Sequence, residues 1–419
     1  MYNADSLDSG LPVLTASADG TEAVTVLMFA GAGSRYEQQK ERGISHFLEH
    51  MFFKGGKKYC NTKEVSMAID GRGGDFNAFT GKEYAGYYVK VAAEHTELAC
   101  DVLSDMLLHA SFPQEEIEKE RGVIMEEERM YQDTPMYRAG WDFEELLFGN
   151  HPLGWDTIGT EELIMGVQQA DFQAHKDRLY TPDNCVVAFA GNIDRAQATE
   201  LSQKYFGGIA GTKQREFVPL EQYGTEKVFL RSKKTEQSHL VLGVPSVSAL
   251  DKDHYTQKLL AIILGGNMSS RMFLNIREAK GLCYYISTDT DSYLDAGALS
   301  TRAGVDQSRL HEAISLIKQE YLVCAEKGIT EEELQRAKDF LRGKFTLSLE
   351  DSEERAHFFG KQALLYDETL DIDAYLAKFD LVTKEQVDAL SVRLFTPENL
   401  RLVVIGKEDD KAAMESLIS

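Results

Sequence analysis

The chain contains the stretch YTPDNCVVAFAGNID at residues 180–194 and a related stretch, FTPENLRLVVIGKED, at residues 395–409. Each has an aromatic residue, Thr-Pro, an acidic residue and Asn before a β-rich apolar run that reaches Gly, and the second begins 215 positions after the first. A further pair, FPQEEIEKERGVI at 112–124 and ITEEELQRAKDFL at 329–341, is separated by 217 positions. Two matches at nearly one spacing indicate an internal duplication of a unit of roughly 200 residues.

Strand-like and helix-like segments alternate within each copy. An early strand is predicted at 23–33 in the first copy and at 238–247 in the second, and the first copy continues with helices near 95–109 and 113–131. This order predicts an α+β fold of two homologous, duplicated α/β sandwich domains. We expect each domain to contain a mixed, mostly antiparallel sheet covered by helices.

The predicted domain boundary lies in a segment that is rich in Gly and charge and contains a Pro. Such a composition is typical of a loop between folded segments. The sequence therefore predicts a first domain at 1–212, a linker at 213–224 and a second domain at 225–419.

Composition and charge are those of a soluble globular protein. The 419 residues are 43% hydrophobic and 27% charged, and 45 basic against 68 acidic residues give a formal net charge of −23. This charge argues against nucleic acid and anionic membranes as partners. The N-terminus has no basic and apolar leader pattern, no apolar run reaches about 18 residues, and the five cysteines lack a Cys-x-x-Cys pair. We therefore expect a cytoplasmic protein with reduced thiols.

The segment ISHFLEHMFF at residues 44–53 combines titratable and apolar residues. With Ser45 as a predicted N-cap, His46 and His50 are four positions apart and project from one helix face. Two imidazoles placed in this way can bind one zinc ion, and the adjacent Glu49 can act on water. The alternative is that both histidines belong to an ordinary core or surface.

A second acidic helix offers the remaining metal ligand. In PQEEIEKERGVIMEEERMY at 113–131, Glu120 and Glu127 fall on the predicted inward stripe, whereas Glu126 and Glu128 point to either side. Carboxylates on a core-facing stripe need a cationic partner, and zinc would be one. The predicted stripe comprises Ile117, Glu120, Val123, Ile124, Glu127, Met130 and Tyr131. The alternative is a different helix phase with both glutamates exposed.

The second copy serves as an internal control for the metal site. At the spacing of 217 positions, the stripe reads Leu334, Ala337, Phe340, Leu341 and Lys344, without a carboxylate. The segment that corresponds to the histidine helix, at 259–273, contains no histidine. The sequence therefore predicts one zinc ion per chain, in the first copy.

Three motifs resemble those of the pitrilysin family of zinc peptidases, the inverzincins. They are HFLEH at 46–50, ERGVIMEE at 120–127 and REAKGLCYY at 277–285. The resemblance is closest to the short, mitochondrial-processing-peptidase-like members and covers essentially the whole chain. The sequence departs from a common family run, Gly-Gly-Gly-Met, in having Gly-Gly-Asn-Met at 265–268.

With this resemblance, we assign zinc to His46, His50 and Glu127, which leaves one position for water. Glu49 is assigned as the general base that takes a proton from water and passes it to the leaving amine. Glu120 is assigned to orienting a metal ligand.

The resemblance also implies residues that bind the substrate. Arg277 and Tyr284 of the second copy correspond to a family pair that binds the substrate backbone and stabilises the oxyanion; the alternative is that they merely pack. The segment GGDFNAFTGKEYAGYYV at 73–89 resembles the family's substrate-side edge strand. Asn77, Ala78 and Phe79 would then hold an extended peptide as an added strand.

These features predict a zinc-dependent endopeptidase that cleaves short or unfolded peptides in an enclosed chamber. Because a short chain has only two units, the family arrangement implies two chains per chamber. A homodimer is the simpler expectation, and a heterodimer with a related chain is the other. Two further functions stay open: a non-catalytic or partner-dependent peptide-binding subunit, and a zinc hydrolase of non-peptide substrates.

Overall fold

The computed structural model describes residues 2–214 and 216–419. In this part of the chain, the β-strands are β1 (Asn3–Ser6), β2 (Pro12–Ser17), β3 (Ala23–Ala30), β4 (Asp75–Thr80), β5 (Ala85–Ala92), β6 (Cys185–Gly191), β7 (Val228–Ser232), β8 (Gln237–Ser246), β9 (Cys283–Ser292), β10 (Gly297–Asp306) and β11 (Arg401–Gly406).

The α-helices of the same residues are α1 (Ile44–Phe52), α2 (Thr62–Asp70), α3 (Thr96–Leu108), α4 (Gln114–Asp133), α5 (Pro135–Phe148), α6 (Glu161–Gly166), α7 (Gln169–Leu179), α8 (Arg195–Phe206), α9 (His254–Gly265), α10 (Leu310–Lys327), α11 (Glu331–Ser348), α12 (Ser352–Leu365), α13 (Ile372–Asp380), α14 (Lys384–Leu394) and α15 (Lys411–Ile418). No helix in the described residues is long and apolar enough to cross a membrane.

The two mixed sheets share one order of five strands, and the first sheet has β1 as an additional edge strand. The first has the order β1-β2-β6-β3-β5-β4 and the second the order β7-β11-β8-β10-β9. In each sheet one pair is parallel, β2 with β6 and β7 with β11, and the other pairs are antiparallel. The predicted fold class, two duplicated mixed sheets covered by helices, is confirmed.

The repeated stretches that reveal the duplication form the central strands β6 and β11. Every residue of CVVAFAG in β6 and of RLVVIG in β11 is buried. A run without alternating polar residues suits a strand whose two faces are both covered. The same apolar run therefore marks the centre of each sheet.

Each sheet is covered on one face by a helix from the other half of the sequence. Helix α12 lies on the first sheet, where Ala356 and Phe359 pack with Phe29. Helix α5 lies on the second sheet, where Phe143 packs with Val403. Apolar burial of this kind stabilises each sheet, and it joins segments that are distant in the sequence.

Two compact units result from these contacts. One consists of Met1–Glu128, Asp156–Val218 and Thr346–Asp373, and the other of Arg129–Trp155, Pro219–Phe345 and Ala374–Ser419. The predicted ranges 1–212 and 225–419 follow the duplication along the sequence. Their assignment as domains, with a linker at 213–224, stays a prediction.

The buried face of α4 differs in part from the predicted stripe. Ile117, Glu120 and Ile124 are buried as expected, but Val123 is 50% and Met130 54% exposed. The buried face instead includes Arg121, whose guanidinium donates hydrogen bonds to the backbone carbonyls of residues 164 and 167. The predicted stripe follows the helical spacing of Ile117 and Ile124 and omits Arg121, which can be buried because carbonyl groups accept its hydrogen bonds.

Candidate metal centre

Helix α1 places the two histidines and Glu49 in a segment whose apolar side chains are buried. The prediction that Ser45 caps this helix was wrong, because Ser45 lies inside the first turn. The Glu37 carboxylate accepts hydrogen bonds from the N–H groups of Gly43 (2.7 Å) and Ser45 (2.8 Å). Acceptors of this kind satisfy the free N–H groups of a helix start. Because Glu37 lies seven positions before the first residue of the helix, Ile44, the spacing of an ordinary N-cap residue does not indicate it.

His46, His50 and Glu127 meet at one point between α1 and α4. The ligand atoms they offer all lie within 4.8 Å of one another, and this is the one such group of three or more possible metal ligands in the described residues. Oε2 of Glu127 lies 3.7 Å from Nε2 of His46 and 3.5 Å from Nε2 of His50. Ligand atoms on a tetrahedral zinc ion with bonds of about 2.1 Å are about 3.4 Å apart. The donor atoms are therefore spaced for such an ion.

Glu120 holds the second histidine from the side away from Glu127. Nδ1 of His50 lies 3.0 Å from Oε1 of Glu120, and Nζ of Lys54 lies 2.6 Å from Oε2 of the same carboxylate. A histidine that donates from Nδ1 presents its Nε2 lone pair to a metal. Glu120 thus contacts both His50 and Lys54, and no pattern in the sequence indicated the contact with Lys54. The role of Glu120 in orienting a metal ligand stays a prediction.

The two histidines have opposite protonation behaviour in the protein without metal. Burial, reinforced by the neighbouring His50, lowers the pKa of His46 to about 4, so that ring is neutral. Burial would also lower the pKa of His50, but its hydrogen bonds with Glu120 and Glu127 outweigh this and raise the pKa to about 9. Because metal ligands must be deprotonated, one proton has to leave His50 when a metal binds.

The Glu49 carboxylate lies beside this group, where its charge interacts with His50 and Glu127. Burial raises its pKa, although the hydrogen bond from Thr80 opposes the shift. Oγ1 of Thr80 donates to Oε2 of Glu49 over 2.5 Å. Thr80 ends the strand β4 and was not identified from the sequence. The one indication in the sequence was that Thr80 directly follows the predicted substrate residues Asn77, Ala78 and Phe79.

Strand β4 lies at the edge of the first sheet, as predicted for the substrate strand. Alternate residues face opposite sides of a strand. Phe76 contacts Phe53 beyond α1 (ring centroids 5.7 Å), whereas Phe79 packs toward α12 against His357 (5.4 Å). Ala78 therefore shares the face of α1, and Asn77 shares the face of Phe79.

Arg277 and Tyr284 both lie in the second compact unit. Arg277 is half-buried in a π-helical turn, Phe273–Glu278, with its guanidinium 4.7 Å from the centre of the Phe273 ring. Tyr284 is 78% exposed and falls at a shift of register between β9 and β10, where Cys283 pairs with Val305 but Tyr285 with Gly304. Bulges and π-turns are frequent at functional sites, because they redirect single side chains.

The counterpart of the metal centre in the second unit is a small cavity with both apolar and polar walls. Ile262 and Ile263 of α9 face Ala337 of α11, around a cavity of about 10 Å³ that also has polar walls. Ala337 occupies the position that corresponds to Glu120. Glu333 and Arg336 line the same cavity, and no histidine lines it. In the part of the chain that the structure describes, the one group of three possible metal ligands is His46, His50 and Glu127.

Comparison with known proteins finds peptidase sequences along most of the chain. Residues 12–161 match the profile of the insulinase family (peptidase family M16), and residues 166–341 match that of the peptidase M16 inactive domain. A Bacillus subtilis protein, the uncharacterized zinc protease YmxG, is 35% identical over 97% of this chain and 98% of its own length. An uncharacterized zinc protease of Streptomyces coelicolor is 33% identical over 97% of this chain and 90% of its own.

Solved structures show the same fold at lower identity. A peptidase M16 inactive domain from Pseudomonas fluorescens has a TM-score of 0.90 at 18% identity, over 98% of both chains. A protease from Helicobacter pylori has a TM-score of 0.88 at 20% identity, over 97% of this chain and 99% of that one.

Proposed function

Because this chain belongs to the insulinase family of peptidases, family M16, we propose that it is a zinc-dependent endopeptidase that cleaves short or unfolded peptides. The relatives named as zinc proteases support the reaction class. The observation that carries the proposal is the convergence of His46, His50 and Glu127 beside the carboxylate of Glu49.

The residues present fit a zinc ion by number, type and spacing. Two imidazoles and one carboxylate are common ligands of catalytic zinc and leave a position open. His46, His50 and Glu127 would hold the ion, and Glu120 would keep His50 in the tautomer that offers Nε2. A zinc ion bound there would make water more acidic and would polarise the scissile carbonyl.

Glu49 is the proposed general base. Its carboxylate takes a proton from the attacking water, holds it and then delivers it to the nitrogen of the leaving amine. Burial raises the pKa of this carboxyl. A raised pKa brings the group closer to neutral pH, where it can both accept and release a proton.

The substrate is proposed to bind as an additional strand along β4. An edge strand presents unpaired backbone groups, and an extended peptide can satisfy them. Asn77, Ala78 and Phe79 would contact the peptide mainly through their backbone. Binding of this kind depends on an extended main chain, which short and unfolded peptides can supply.

Arg277 and Tyr284 are proposed to act on the bound substrate. The phenol of Tyr284 is exposed, and the guanidinium of Arg277 is half-buried, so both can meet a ligand. A tyrosine hydroxyl and a guanidinium are donors that can bind a carbonyl oxygen and stabilise the negative charge that develops on it.

We further propose one zinc ion per chain, a homodimer that encloses the substrate, and a cytoplasmic location. The chain contains both the metal centre and the Arg277 and Tyr284 pair, so two identical chains would suffice; a heterodimer with a related chain is the alternative. The net charge of −23 disfavours nucleic acid and anionic membranes as partners.

A second candidate function is a non-catalytic or partner-dependent peptide-binding subunit. It is favoured by the match of residues 166–341 to a domain described as inactive. The two candidates differ in a measurable way, because a binding subunit holds peptide without cleaving it.

The test combines metal removal with a mixed peptide library. The chain loaded with zinc should cleave extended peptides, the chelated protein should not, and added zinc should restore cleavage. Glu49→Gln should keep zinc and bind peptide but hardly cleave it. Glu126→Gln, on the exposed side of α4, is the matched control and should cleave normally. Peptide binding without cleavage by the zinc-loaded wild-type chain would support the second candidate instead.

A further inference from the structure

We propose that Thr80 is a positioning residue for Glu49, so that the strand proposed to bind substrate also orients the general base. This inference rests on the proposed function, since it gives a role to a neighbour of the proposed base. Its starting point is the 2.5 Å hydrogen bond from Oγ1 of Thr80 to Oε2 of Glu49.

Thr80 is the one hydrogen-bond partner of the Glu49 carboxylate among the residues that the structure describes. The terminal torsion of a glutamate side chain is broad, so a carboxylate without a fixed partner can turn. A hydroxyl that donates to an ionised oxygen makes a short and comparatively strong bond, especially away from solvent. The bond to Oε2 therefore restricts the rotation of the carboxylate and leaves Oε1 for water.

The backbone around Thr80 makes it a firm support. Thr80 pairs with Ala85 across β4 and β5, and the N–H of Gly81 donates to the carbonyl of Tyr84 over 2.9 Å, which closes the turn. A β-branched side chain is also restricted at its first torsion. The hydroxyl position is thus set by the sheet rather than by a mobile loop.

The same strand ends the sheet on its free side. A peptide that adds to β4 would pair with the backbone that carries Thr80, so substrate binding and base orientation share one element. Side chains of alternate residues point to opposite faces of the strand. Thr80 and Ala78 face α1, and Asn77 and Phe79 face the opposite side.

The test uses three variants of the full-length, zinc-loaded chain. Thr80→Val keeps the shape and strand preference but removes the hydroxyl, and Thr80→Ser keeps the hydroxyl. Thr290→Val is the matched control, because Thr290 lies on β9, the corresponding edge strand of the second sheet. The measurements are kcat, KM, zinc content and melting temperature, and Thr80→Ala repeats the hydroxyl removal if the valine variant is insoluble.

Thr80→Val should lower kcat by about 10- to 100-fold, as expected for a misplaced catalytic group, with KM changed less than about threefold and zinc content unchanged. Thr80→Ser should recover most of the loss, and Thr290→Val should behave as wild type. In a Glu49→Gln background, Thr80→Val should have no further effect, because residues that act as a unit are not additive.

Wild-type kcat in Thr80→Val, or equal losses in Thr80→Val and Thr80→Ser, would overturn the inference. So would a further loss of the same size when Thr80→Val is added to Glu49→Gln. These outcomes are separate from a failure of the proposed function, which would appear as a zinc-loaded wild-type chain that does not cleave peptide or as an active Glu49→Gln enzyme.

Discussion

The zinc affinity of the chain should depend steeply on pH, because His50 has a raised pKa and must lose a proton before it can bind a metal. His50 has a pKa raised to about 9 by Glu120 and Glu127 against the effect of burial, so zinc must displace a proton from it at neutral pH. His46 has a pKa lowered to about 4 by burial and is already neutral. One proton, rather than two, should therefore compete with zinc above pH 6.

The size of the effect follows from this single proton. Below a pKa of about 9, one competing proton weakens zinc binding tenfold for each unit of falling pH. Raising the pH from 6 to 8 should then strengthen apparent zinc affinity by about 100-fold, or ~2.7 kcal/mol. The sign follows from the raised pKa, because deprotonation makes the ligand available.

The assay is a competition titration against a chromophoric chelator of known pH dependence, at constant ionic strength. Glu120→Gln should flatten the pH dependence, because it removes an acceptor that raises the pKa of His50, and it should weaken zinc at pH 8 by about 10- to 100-fold. Glu115→Gln, an exposed change on the same helix, should leave the curve unchanged. A pH-independent affinity, or a slope of two protons between pH 6 and 8, would show that zinc does not displace a single proton from His50.

Three further changes test separate parts of the molecule. Glu127→Gln should lower the zinc retained after dialysis, whereas Glu126→Gln should not; equal losses would contradict the assignment of Glu127. Tyr284→Phe should lower turnover by roughly 100- to 1000-fold, the cost of losing an oxyanion donor. Zinc content and melting temperature should not change, since Tyr284 is 78% exposed; unaltered turnover would leave Tyr284 without a catalytic role. Gly360→Ala should lower the free energy of unfolding by ~1–3 kcal/mol, because its Cβ would lie 2.6 Å from a phenylalanine ring of β3. Calorimetry would compare it with Gly343→Ala on α11, where a Cβ meets nothing within 4 Å, and similar melting temperatures would contradict the packing of α12.

The fold class could be predicted because short, contiguous stretches of sequence reveal the duplication. The runs that become β6 and β11 consist of apolar residues apart from Arg401 at the start of β11, and they recur in the same order. The packing of α5 on the second sheet and of α12 on the first sheet could not be predicted in this way. A helical pattern shows that one face is buried, but it does not show which sheet buries it, since that choice depends on contacts distant in sequence.

The candidate metal centre was predictable to the extent that it depends on helical spacing. His46 and His50 lie four positions apart on α1, and Glu120 and Glu127 lie seven apart on α4, so each pair shares a face. The two helices are far apart in the sequence and come together only in the folded chain. The one indication of their contact in the sequence was that buried carboxylates need a cationic partner.

Residues that support the site from other elements were not predicted. Lys54 contacts Glu120 from just beyond α1, and Thr80 reaches Glu49 from β4. Neither has an unusual side chain or spacing, and their importance arises from a hydrogen bond across elements. The bulge at Tyr284 is similar, because a shift in strand register depends on the partner strand and leaves no clear mark in the chain itself.

The most direct test of the proposed zinc peptidase is the position of the metal, since every proposed step depends on it. An anomalous difference map recorded at the zinc edge from crystals of the zinc-loaded, full-length chain would locate the ion. We expect one strong peak per chain, at bonding distance from Nε2 of His46, Nε2 of His50 and a carboxylate oxygen of Glu127. A strong peak elsewhere, two equal peaks per chain, or no peak in protein that retains one zinc ion in solution would contradict it.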